Sequence, residues 1–136
     1  MSNVALVALA AGILGALGTL HMLYTFFTPK FDPYDPAVAV AMKGTSPRIT
    51  RQTTIWRAWI GFNASHSLGA MFFGAVFLMI AATSPALLAQ PAWLLLGLVT
   101  CLAYLAMAIK YWFRIPLIGI AIAATCFALA TARTLI

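Results

Sequence analysis

AWIGFNASHSLGAMFFGAVFLMIAA, residues 58–82, decides the fold: it is 25 residues long and carries no charge. A helix needs roughly 20 apolar residues to cross the hydrocarbon of a bilayer, and this run exceeds that length. Three further runs meet the same requirement, at about 4–27, 92–109 and 116–132. The chain therefore reads as all-α and polytopic. It is expected to be a single domain, residues 1–136, of four transmembrane helices in an up-down bundle. Composition agrees, since 64% of the residues are hydrophobic, 7% are charged and the mean hydropathy is +1.01. A water-soluble domain would need polar residues over most of its surface.

Each run ends at a turn signal or a charge. The breaks are Thr28-Pro29-Lys30, then Ser84-Pro85 with Gln90-Pro91, then Lys110 to Arg114. No Lys or Arg precedes the first run and no convincing small-residue cleavage site comes after it, which favours a retained span over a cleaved signal. The first connection and its junction hold Lys30, Lys43, Arg48, Arg51 and Arg57, and the third holds Lys110 and Arg114, whereas the opposite side has only Arg133. Basic residues are retained in the cytoplasm, so both termini are expected outside. The net charge of +6 is a topology signal before it is a nucleic-acid signal, and no nucleic-acid partner is expected. The first connection would also favour anionic headgroups.

That connection has structure written into it. Asp35-Pro36 can cap and open a short apolar helix that Gly44 can close, lying in the interface. Ser46-Pro47 is a second start signal, suggesting that the second long helix begins well before its apolar part. Trp56, Trp59, Tyr111 and Trp112 fall where interfacial aromatics belong. In the first run Gly12, Gly15 and Gly18 recur with Ala8, Ala11 and Ala16, so backbones can approach closely along one side; a flat ligand in the space is the alternative.

The chain contains no glutamate, and its only carboxylates, Asp32 and Asp35, share one Pro-rich connection. Paired-carboxylate catalysis, di-iron sites and intramembrane carboxylate relays are thereby excluded. Cys101 and Cys126 lie inside apolar runs without redox or zinc spacing and read as packing residues. The chemistry that remains is a polar stripe. At 100° per residue Asn63, His66 and Ser67 share a face with Trp56, Trp59, Ala70, Gly74 and Phe77, opposite Gly61, Leu68 and Phe72. Polar groups at such depth need partners, so the stripe should face protein. His21 lies at a similar depth in the first span, roughly 10 Å from the same interface as His66, with Tyr24 and Thr25 one turn away.

Three readings stay open for His21, Tyr24, Trp59, Asn63, His66 and Ser67. They can form a structural hydrogen-bonded cluster, with Ser65 contributing. They can line a pocket for a lipid, quinone or other hydrophobe. Or His21 and His66 can ligate a haem axially or supply half of a copper or zinc site, with Met22 or Met71 nearby. The chain is accordingly expected to be a non-enzymatic subunit or homo-oligomeric module of a membrane, or an intramembrane binding protein or enzyme.

Thr54-x-Trp56-x-x-Trp59-x-Gly61-Phe62-Asn63-x-Ser65-His66-Ser67-x-Gly69, with His21-x-x-Tyr24-Thr25-Phe26 upstream, resembles a family of small bacterial four-helix membrane proteins. The resemblance covers the first two long helices and their connection. It implies this architecture in a bacterial inner membrane, where the basic-residue count puts both termini in the periplasm, and carries no known activity. Size and topology are more distantly similar to the MAPEG membrane enzymes and to DoxX-like proteins. The MAPEG pattern places an Arg, an Asn and a Glu on its second helix. Here Arg57 and Asn63 stand at a different spacing and the Glu is missing, which counts against glutathione chemistry.

Overall fold

The computed structural model describes all of Met1–Ile136. Five α-helices and two short 3-10 turns make up the chain, with no strand: α1 (Asn3–Phe27), α2 (Pro36–Gly44), α3 (Ile55–Thr83), α4 (Pro91–Tyr111) and α5 (Arg114–Leu135). At 25, 29, 21 and 22 residues, α1, α3, α4 and α5 are each long and apolar enough to cross a membrane. The protein is a polytopic α-helical membrane protein.

The ends are set by capping chemistry more than by hydropathy. α3 starts three residues before its apolar run because the Thr54 hydroxyl accepts the Arg57 N–H at 3.2 Å. Pro91 stands at the first position of α4, and Pro116 sits in the first turn of α5, where the missing N–H has no helical acceptor to lose. Between α4 and α5 only Trp112 and Phe113 remain outside helix. α2 forms as its sequence suggests, with the Asp35 carboxylate accepting the Ala37 N–H at 2.9 Å. Gly44 ends it without a left-handed turn, since Thr45 is extended and no residue has positive φ. Nor does Ser46-Pro47 open the next helix. Instead Thr50 N–H bonds the Pro47 carbonyl at 3.2 Å, closing a turn, and α3 waits for Thr54.

The chain divides into two compact units, residues 1–17 with 70–136, and residues 18–69. In the first, the N-terminal part of α1 and the C-terminal part of α3 gather with α4 and α5 around one apolar core. Phe127 is fully buried there, edge-to-face with Phe77 at 5.0 Å and Phe73 at 5.7 Å. Gly97 admits that ring, because a Cβ at this position would collide with it. Cys101 and Cys126 are buried, reduced members of the same core. Asn3 Nδ2 donates to Thr134 Oγ1 at 2.9 Å and Arg133 Nη1 to the Met1 carbonyl at 2.5 Å, tying the two ends of the chain together.

The small-residue stripe of α1 is an interface over part of its length. A Cβ on Gly74 of α3 would lie 2.8 Å from the Ala11 carbonyl oxygen and from Gly15 Cα. Such an approach between backbones is what small-xxx-small spacing permits. Gly12, by contrast, has nothing within 4 Å of its Cβ position, and Ala16 is exposed. The other helix faces present large apolar side chains outward, among them Phe62, Leu68 and Phe72 of α3. Lipid solvates these as well as protein would, so their exposure costs nothing.

Candidate functional site

The second unit carries the polar cluster. α1 and α3 run antiparallel here, and the stripe on α3 faces α1 as its helical spacing requires. Ser67 is fully buried and Asn63 and His66 are half-buried, while Gly61 and Leu68 are exposed. His21 Nε2 lies 2.9 Å from Asn63 Oδ1. The Asn63 Nδ2–H donates to the Trp59 carbonyl at 2.9 Å, one turn back on α3. That bond fixes which end of the amide faces His21. The oxygen does, so the imidazole must carry its proton on Nε2.

The His21 and His66 rings meet edge to face, 5.4 Å between centroids. Ser67 Oγ–H closes the network by donating to the Asn63 carbonyl at 2.8 Å, and Thr25 Oγ–H donates to the His21 carbonyl at 2.8 Å. Such bonds to the carbonyl four residues back satisfy hydroxyls inside a membrane, and Thr100 and Thr125 on α4 and α5 do the same. No buried side-chain nitrogen or oxygen in the chain lacks a partner.

Not every candidate joins. Ser65 is exposed and donates to the Phe62 carbonyl at 3.1 Å. It points away from the cluster because two residues of helix turn it by about 200° from Ser67. The Tyr24 ring takes the Lys30 ammonium 4.0 Å from its centroid, and its carbonyl accepts the Thr28 hydroxyl. Tyr24 thus belongs to the helix end. In this arrangement the two imidazoles touch, so no porphyrin plane fits between them, and no group of three or more His, Cys, Asp or Glu gathers to hold an ion.

One participant was not among the candidates. Phe31 lies in a 3-10 turn, Pro29–Phe31, opened by the Thr28 side chain accepting the Lys30 N–H. Its ring rests on His21 with 4.3 Å between centroids, and its carbonyl accepts the Trp59 Nε1–H at 3.0 Å. The signal was present in Thr28-Pro29, a cap before a first-turn proline, which turns the chain back over the end of α1. Phe31 and Trp59 also wall an open groove of about 410 Å³, completed by Lys30, Asp32, Pro33 and Met42. Two walls of that groove thus touch the cluster, Phe31 through the His21 ring and Trp59 through the Asn63 amide.

No family model, curated protein or solved structure matches this chain.

Proposed function

We propose that the chain is a non-enzymatic membrane module, a homo-oligomer or a subunit of a larger complex, whose His21, Asn63, His66 and Ser67 cluster locks α1 and α3 in register. The observation that carries this reading is closure of the network. Every fully buried side-chain polar atom has a partner within the chain, so the cluster is satisfied without a ligand, as a structural cluster must be. Native mass spectrometry of the protein extracted from its own membrane tests it. Partner chains or further copies are expected to be retained. A monomer carrying one defined small molecule would contradict it.

The groove beside Phe31 and Trp59 favours a second reading, a site for a lipid or quinone. It is open, and Phe31, Pro33, Met42 and Trp59 give it apolar walls beside Lys30 and Asp32.

The basic residues support an orientation with the first and third connections in the cytoplasm of a bacterial inner membrane and both termini periplasmic. A cysteine at Thr45, which is exposed, is expected to resist an impermeant thiol reagent in intact cells and to react after lysis. Labelling of intact cells would reverse the orientation.

A further inference from the structure

The segment from Gly44 to Ile55 joins α2 to α3 and is closed at its base by the Ile55 N–H donating to the Thr45 carbonyl at 2.9 Å. Inside it the Pro47–Thr50 turn and the Gln52 N–H bond to Thr50 Oγ at 3.1 Å give the loop its own framework. Gly44, Thr45, Ser46, Pro47, Arg48 and Arg51 line a concavity of about 460 Å³. Two arginines and two hydroxyl residues thus border one hollow. Between the arginines Ile49 is 92% exposed.

The rest of the chain does not answer this charge. No Asp or Glu comes after Asp35, and the neighbouring Lys43 is directed over the Trp56 ring, 4.9 Å from its centroid. Arg48 and Arg51 are both exposed and so open to an anion from outside. The loop leads directly into a membrane-spanning helix, so the anions at its level are headgroup phosphates. A guanidinium matches a phosphate through two parallel hydrogen bonds, and a lone isoleucine at a loop tip suits the acyl boundary beneath.

We propose that this loop is a docking site for the phosphate of an anionic phospholipid of the phosphatidylglycerol type, clasped between Arg48 and Arg51 with Ile49 entering the bilayer. This does not depend on whether the protein is a module or a binding protein.

The test uses the full-length protein in micelles doped with equal phosphatidylglycerol and phosphatidylcholine, with retained lipids counted by native mass spectrometry. The wild type is expected to prefer phosphatidylglycerol, and the Arg48→Gln/Arg51→Gln pair to lose that preference, because the paired guanidinium hydrogen bonds to one phosphate go with it. The pair Lys110→Gln/Arg114→Gln removes the same charge from another connection and is expected to keep the preference. Unchanged helical circular dichroism in both pairs shows that the fold is intact. Equal losses in the two pairs, or none in either, would overturn the site in favour of diffuse attraction. Displacement of the lipid by millimolar inorganic phosphate would overturn it in favour of a soluble anion. Ile49→Ser is expected to weaken retention of both lipids, and unchanged retention would overturn the insertion of Ile49.

Discussion

Gly74→Leu is expected to prevent the core of the first unit from assembling, and even Gly74→Ala is expected to lower stability by about 1–3 kcal/mol, the usual cost of over-packing. The reason lies in the atoms that a new side chain would meet. Its Cβ would stand 2.8 Å from the Ala11 carbonyl oxygen, Gly15 Cα and Gly15 N, all backbone, and backbone cannot rotate aside. The reciprocal change is milder, because a Cβ on Gly15 lies 3.8 Å from Gly74 Cα, an ordinary contact. Gly15→Ala should therefore be tolerated, and Gly15→Leu should not. Gly12→Ala meets nothing and should be neutral to stabilising, since alanine is the better helix former. Leu20→Ala, at an exposed position facing lipid, should change stability by less than about 0.5 kcal/mol. Thermal unfolding in detergent, monitored by circular dichroism, ranks these variants. Wild-type stability of Gly74→Leu would show that α1 and α3 do not meet through Gly74.

The spans were legible because a bilayer imposes a length rule that soluble folds lack, and residues 58–82 and three further runs satisfy it. The face of α3 was legible for a related reason. Asn63, His66 and Ser67 recur at helical spacing, and unpartnered polar groups in hydrocarbon are costly enough to fix rotation. Less was readable where short-range chemistry competes. Ser46-Pro47 is as good a helix start as Asp35-Pro36 by composition, yet the first makes a turn and the second a helix. The two differ in the residues beyond each proline: an alternating Ala/Val run that can propagate after Pro36, against Arg48-Ile49-Thr50-Arg51 after Pro47. Gly74 could not be singled out as the contact for Gly15, because pairing between helices depends on rotation and offset that one helix does not encode. Phe31 was missed because its place over His21 comes from a 3-10 turn outside any periodic pattern, of which Thr28-Pro29 signals the turn but not the ring contact.

The contact between His21 and Asn63 is the joint on which the second unit turns, and loss of either side chain is expected to cost about 1–3 kcal/mol. His21→Leu leaves Asn63 Oδ1 without its donor, and Asn63→Leu strands the Nε2–H of His21, while the Trp59 carbonyl keeps its helical N–H partner within α3. Each single substitution also changes packing against Phe31 and His66, so neither isolates the hydrogen bond. A double-mutant cycle does. Measured by unfolding in lipid or mild detergent, with His21→Leu, Asn63→Leu and the pair, it is expected to return a coupling of about 0.6 kcal/mol, the average for side-chain hydrogen bonds between membrane helices. A coupling below about 0.3 kcal/mol, the scatter of independent sites, would contradict a role for this cluster in holding α1 and α3 in register.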